Sequence, residues 1–139
     1  MKKVFILLII FSSILVADDW KVDPNELPQS TIDFINNFFP NNRIILAERD
    51  RKKYEIVLEN GVELEFFING EFKEVEGNYV AVPPEILPKT VANTVSVTFP
   101  NTTITKIKKK WNLYEVKLNN SMALYIDVNG QLLGQKFDD

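Results

Sequence analysis

The chain has 139 residues, with 16 basic against 19 acidic side chains and neither cysteine nor histidine. The acidic balance argues against general nucleic-acid binding, which calls for a basic surface. The missing residue types exclude disulfides, thiolate nucleophiles, imidazole bases, the usual zinc sites and haem ligation by His or Cys.

The first element has the pattern of a secretory leader. Lys2 and Lys3 precede the apolar run Val4 to Phe11, and Ser12 to Ala17 ends on a small residue before Asp18-Asp19. Cleavage after Ala17 is the reading, with an uncleaved anchor as the alternative. The run is short for a membrane span of about 20 residues. No cysteine follows it, so a lipoprotein anchor is ruled out. The expected product is a periplasmic protein of roughly one domain, with no stable membrane insertion after cleavage.

Laid over itself at an offset of 60, the remainder aligns without a gap. Val22-x-Pro24 meets Val82-x-Pro84, Leu27-Pro28 meets Leu87-Pro88, and Phe39-Pro40-Asn41 meets Phe99-Pro100-Asn101. Tyr54-Glu55 meets Tyr114-Glu115, Asn60 meets Asn120, and Asn69-Gly70 meets Asn129-Gly130. Two copies of one unit, 18–79 and 80–139, follow a leader at 1–17.

In chain order, Pro28 to Phe39 predicts a helix, with Pro at the first turn, apolar Ile32, Ile35, Phe38 and Phe39, and a stop at Pro40. Strands are expected around Arg43 to Glu48, through Tyr54, Ile56 and Leu58, through Val62, Leu64, Phe66 and Ile68, and around Glu71 to Val75. A three-residue loop, Glu59-Asn60-Gly61, pairs Tyr54 with Phe66 and Ile56 with Leu64, whereas a two-residue turn would put carboxylates into the apolar face. At Asn69-Gly70 and Asn129-Gly130 both loop lengths stay open. Gly77 to Pro84 is a short, partly apolar linker suited to side-by-side docking. Pro88 to Phe99 is rich in Val and Thr and by itself suggests a strand. Its framing prolines and the spacing of Val91, Val95 and Phe99 make it a helix. The strand pattern then recurs through Tyr114, Val116 and Leu118 and through Met122, Leu124, Ile126 and Val128. The fold class is α+β, a tandem repeat of one helix plus an antiparallel meander of about four strands, with the helices on one face of the sheet.

These residues resemble the PepSY-like, or beta-lactamase-inhibitor-like, proteins. The resemblance rests on the helix ending in Phe-Pro (Phe39-Pro40, Phe99-Pro100), the strand Tyr54 to Leu58 or Tyr114 to Leu118, and the strand ending in Asn-Gly (Asn69-Gly70, Asn129-Gly130). The sequence departs from the family pattern with Asn before the turn glycine, where Asp is frequent, and with Phe72 or Leu132, where Trp is common. The resemblance implies helices on one sheet face, a bacterial envelope location and no enzymatic activity. It also implies a kinship with modules that inhibit or modulate secreted peptidases, and with the beta-lactamase inhibitor protein, which grips its enzyme with a sheet surface. Fold alone transfers neither activity.

Two surfaces stand out. The outward positions of the central strands, Glu55, Val57, Glu63, Glu65, Phe67, Glu115, Lys117 and Tyr125, form a candidate partner-binding face, on which Phe67 and Tyr125 are expected to be exposed. Glu55 opposite Glu65 is a destabilising like-charge pair; a solvated sheet face is the ordinary reading and a cation site the sharper one. Lys106, Lys108, Lys109, Lys110 and Trp111 form a candidate polyanion site, or simply a charged hairpin tip. Residues 18–79 carry twice as many acidic as basic side chains and 80–139 slightly more basic than acidic, a contrast that favours docking of the halves or a head-to-tail dimer. Ser96 and Ser121 lie in no motif that supplies a base. The expectation is a non-enzymatic, cofactor-free module with a protein partner in the envelope. The alternatives are a small-ligand or calcium binder using Glu55, Glu59, Glu63 and Glu65, or a structural envelope protein. Oligomeric state is left open.

Overall fold

The structure, a computed structural model, describes residues 19–138. The leader and its cleavage point lie outside the described residues. Nine strands form one antiparallel sheet in chain order: β1 (Trp20–Lys21), β2 (Ile44–Arg49), β3 (Lys53–Leu58), β4 (Glu63–Phe67), β5 (Phe72–Glu76), β6 (Ile104–Lys109), β7 (Leu113–Leu118), β8 (Met122–Asp127) and β9 (Leu132–Phe137). Two ten-residue helices, α1 (Gln29–Phe38) and α2 (Lys89–Thr98), precede β2 and β6, each behind a short 3-10 turn at Pro24–Glu26 or Pro84–Ile86. The sequence pattern did not anticipate β1 or the 3-10 turns. The two halves, expected to pack side by side, do so through a hydrogen-bonded ladder between β5 and β6, with Glu74, Val75 and Glu76 opposite Lys108, Ile107 and Lys106.

Both helices begin one residue later than expected. Pro28 and Pro88 occupy the cap position itself, where a missing N–H leaves no donor unpaired. The Phe-Pro-Asn motif ends each helix. Phe39 is buried and its N–H still donates to Ile35 O, Pro40 cannot continue the ladder, and Asn41 and Asn101 take positive φ of 67° and 68°, a conformation asparagine tolerates better than most residues.

Alternation builds the strands as expected. Tyr54, Ile56 and Leu58 face the helices, and so do Tyr114, Val116 and Leu118, all buried with Leu64, Phe66, Val75, Ile107, Leu124 and Ile126. The pairs Tyr54–Phe66 and Ile56–Leu64 form, and Leu58 N donates to Val62 O at 2.9 Å around the three-residue loop 59–61. The open question at the Asn-Gly turns resolves to the same loop. Phe67 N donates to Glu71 O and Asp127 N to Gln131 O, with Gly70 and Gly130 at φ of 93° and 94°.

These turns dock on the helix N-termini. Ser30 and Thr31 hydroxyls each donate to Gly70 O at 3.2 Å, and Thr94 donates to Gly130 O. A Cβ on Gly70 would lie 2.8 Å from Pro28 Cβ, and one on Gly130 2.7 Å from Thr90 O. Glycine is thus demanded by space as well as by φ. Thr31, fully buried, is the polar residue that joins helix to turn inside the core, and its hydroxyl is satisfied there, as burial requires.

Candidate functional site

With both helices on one side, the sheet's other face carries no covering element among the described residues. It is organised in rows that cross all strands. One row runs Lys21, Glu48, Glu55, Glu65, Glu74, Lys108, Glu115, Tyr125 and Gly134; the next runs Leu46, Val57, Glu63, Glu76, Lys106, Lys117, Ala123 and Lys136. Glu55, Val57, Glu63, Glu65, Glu115, Lys117 and Tyr125 all lie in these rows. Phe67, opposite Lys53, lies toward the β4–β5 turn and is 39% exposed. Tyr125 is half-buried rather than open, with Lys110 Nζ 5.5 Å above its ring. Its hydroxyl, hydrogen-bonded to the exposed Lys136, holds that ammonium above its usual range. Glu59 belongs to the hairpin loop instead, where it accepts from Arg43 N at 3.1 Å.

Glu55 and Glu65 do stand opposite each other, but Lys53 Nζ lies 3.1 Å from both carboxylates, and Lys73 adds a second contact to Glu65 at 3.1 Å. The like-charge pair is therefore held by shared cations. Burial raises the Glu65 carboxyl, and the two lysines outweigh it and keep the carboxyl below its usual range. Burial likewise opposes the charge on Lys53, which Glu65 and Glu55 restore and hold above its usual value. Sequence reasoning missed Lys73, Glu74 and Glu76 as members of this face. A bulge between Glu65 and Phe66 makes Lys73 the extra residue of β5 and turns Glu74 outward, and no sequence pattern marks the bulge.

The lysine run divides between several environments. Lys106 contacts Glu74 at 3.5 Å and Glu76 at 3.4 Å, and Lys108 lies 3.9 Å from Glu74. Lys110 contacts Glu115 at 2.9 Å. Lys109 and Trp111 are exposed, Trp111 at 96%, at the β6–β7 turn. Three of the five members are thus engaged with carboxylates on the sheet face. Among the described residues no group of three or more acidic side chains is arranged to hold a metal ion. No described helix is long and apolar enough to cross a membrane.

On α2 an apolar recess of about 300 Å³ is lined by Ala81, Val82, Ala92, Val95, Phe99 and Ile104. On the sheet face a polar concavity of about 390 Å³ lies among Glu76, Lys106, Lys117, Ser121 and Asp138. Lys117 bonds Asp138 there at 2.6 Å.

The arrangement defines an α+β protein with two helices on one face of an open, nine-stranded antiparallel sheet and a continuous charged surface on the other. The chain belongs to the family described as "Putative beta-lactamase-inhibitor-like, PepSY-like", which matches residues 16–72 and again 54–134. Three solved structures resemble it closely. One is a "putative periplasmic protein" of the DUF2874 family from Bacteroides vulgatus, 30% identical, with a TM-score of 0.80 over 86% of this chain and 97% of that one. The second, a "putative calcium-regulated periplasmic protein" from Bacteroides thetaiotaomicron, is 28% identical, with a TM-score of 0.81 over 87% and 98%. Another periplasmic protein of unknown function from Bacteroides vulgatus shares the fold at 24% identity and a TM-score of 0.78 over 85% and 98%. No match was found among curated proteins.

Proposed function

We propose that the chain is an exported envelope protein, matured by cleavage after Ala17, whose uncovered sheet face binds another protein and modulates or inhibits it. One observation carries this reading: the helices leave a nine-strand face on which Leu46, Val57, Phe67 and Tyr125 sit among charged side chains. Apolar and aromatic anchors ringed by polar groups are how interfaces concentrate their energy. The binding residues are Glu55, Val57, Glu63, Glu65, Phe67, Glu115, Lys117 and Tyr125, and residues 18–79 and 80–139 are two copies of one unit.

The test is capture from envelope extract with the wild type and with Phe67→Ala and Tyr125→Ala. Each substitution should weaken retention of the recovered partner by about 1 to 3 kcal/mol, Phe67→Ala with little loss of melting temperature and Tyr125→Ala, whose half-buried ring lies under Lys110, with a moderate loss. Equal recovery by wild type and both variants removes the face from the reading.

A second reading, a calcium-responsive face, draws on the likeness to the "putative calcium-regulated periplasmic protein" of Bacteroides thetaiotaomicron. Glu55 and Glu65 already share Lys53, so calcium would have to displace an ammonium. An unchanged melting temperature at millimolar calcium removes this reading.

A further inference from the structure

We infer that the partner of the uncovered sheet face is a second copy of this chain, docked face to face about a two-fold axis that runs parallel to the strands at the β5–β6 junction. The inference rests on the reading that this face binds protein, and it names the protein.

The argument is charge placement. On β2 to β5 the face carries Glu48, Glu55, Glu63, Glu65, Glu74 and Glu76 with Lys53 and Lys73; on β6 to β9 it carries Lys106, Lys108, Lys117 and Lys136 with Glu115 and Asp127. The excess of carboxylates gives way to an excess of lysines at one ladder, where Lys106 meets Glu74 and Glu76. A two-fold at that ladder lays β5 over β6 of the other copy, β4 over β7 and β3 over β8. Because such an axis preserves height along the strands, Glu63 comes over Lys117, Glu76 over Lys106, Glu74 over Lys108, and Lys53 over Asp127. Val57 then faces Ala123, and Phe67 faces Leu113. The one mismatched pair, Glu65 over Glu115, joins carboxylates that already hold lysines of their own. Among the described residues no cation lies within 4 Å of Glu63, so its charge is free for an intermolecular pair, in which Lys117 would be shared between its own Asp138 at 2.6 Å and Glu63 of the other copy. An isologous contact needs a patch that complements itself, and complementary charge gives such contacts their register. Two sheets packed face to face tolerate a relative rotation of about 30°. The eight strands that overlap, β2 to β9, spaced about 4.8 Å apart and about 17 Å long, offer roughly 650 Å² per chain, somewhat below the roughly 800 Å² per partner of a standard interface.

The experiment is sedimentation velocity of the protein purified from the periplasm of an expressing bacterium, from about 1 to 200 μM. A dimer is expected in low salt, loosened at least about tenfold in 0.5 M salt, where the screening length falls to a few ångströms. Glu63→Lys and Lys117→Glu should each be monomeric with a native melting profile, and Lys117→Gln should weaken the dimer less than Lys117→Glu. Mixing the two reversed variants should restore a dimer, since the mixed pair regains both Glu–Lys contacts. A chain that stays monomeric at the highest concentration in low salt overturns the inference, as does a dimer that neither reversal disturbs. If the chain is monomeric while wild type, but not Phe67→Ala or Tyr125→Ala, captures another envelope protein, the inference is overturned and the binding reading stands.

Discussion

The two halves of the sheet share element order and loop type, yet their helices are fastened differently. Under α1, Phe34 stacks on Phe72 at 4.9 Å, and Phe66 meets both rings edge-on at 5.3 and 6.3 Å, while Phe38 adjoins Phe34 at 4.8 Å. Under α2 the aligned positions are Thr94, Ile126, Leu132 and Thr98. There the Thr98 hydroxyl bonds along the helix to Thr94 O, the Thr94 hydroxyl is taken by Gly130 O, and Ala92 stands where Ile32 stands in the first half. The same backbone plan is thus filled once by interlocking rings, which are large and directional, and once by small branched side chains that leave a recess. Helix identity in the second half therefore depends on its tertiary setting more than on its own residues.

Substitutions at aligned positions sharpen that contrast. The largest effect should come from Phe66→Ala, which removes the ring on which two others lean; about 3 to 5 kcal/mol of stability should be lost by denaturant titration. Its aligned counterpart Ile126→Val should cost only about 0.5 to 1.5 kcal/mol, and equal losses would mean that the aromatic cluster is not what distinguishes the halves. Ala92→Ile introduces the residue that α1 carries and fills the recess beside Val82 and Phe99. A gain of roughly 1 kcal/mol is expected from the added buried carbon; a loss would show the recess to be too rigid to accept it.

The fourth substitution concerns the loops. Gly61 takes φ of 91° without strain, but the second half puts Ser121 there at 66°. Ser121→Gly should raise stability by about 0.5 to 1 kcal/mol, because the left-handed conformation disfavours a Cβ; no rise in melting temperature would place the Asn120 loop outside this reasoning.

The smallest effect is on pH dependence and belongs to the first half, since Tyr125 occupies the position aligned with Glu65. The Glu65 carboxyl is held low in the folded chain. Its contribution is therefore complete above the unfolded carboxylate value of roughly 4.3 and is lost as pH falls through the lowered folded value. Glu65→Gln should make the fall of melting temperature in acid shallower. An unchanged acid limb would mean that Lys53 and Lys73 contribute nothing net through this carboxylate.

Much of this structure was legible in the residues. Alternation in Tyr54 to Leu58 and Val62 to Ile68 fixed which side chains enter the core, and the carboxylate argument selected the three-residue loop at Gly61. Those signals are local, with a period of two and a turn residue whose φ is dictated by sterics. The second helix was legible only by comparison with the first, since Val91, Thr94, Val95 and Val97 favour strands when taken alone. The candidate face was legible in its central positions and not at its margins. Bulges insert Ile45, Lys73, Thr105 and Leu133 as unpaired extra residues, and one extra residue reverses which face every later side chain occupies.

The sequence by itself determined the two helices, the strands other than β1, their order and the buried face of each regular stretch between bulges, because side-chain periodicity and turn sterics are properties of neighbouring residues. Only the tertiary structure decided that the halves join through β5 and β6 into one sheet, that β1 pairs with β2, and that Lys53 lies between Glu55 and Glu65. Each of these depends on which distant backbone edge or side chain is brought within hydrogen-bonding or ion-pairing distance, a choice made by the packing of the whole chain and not written in any one segment.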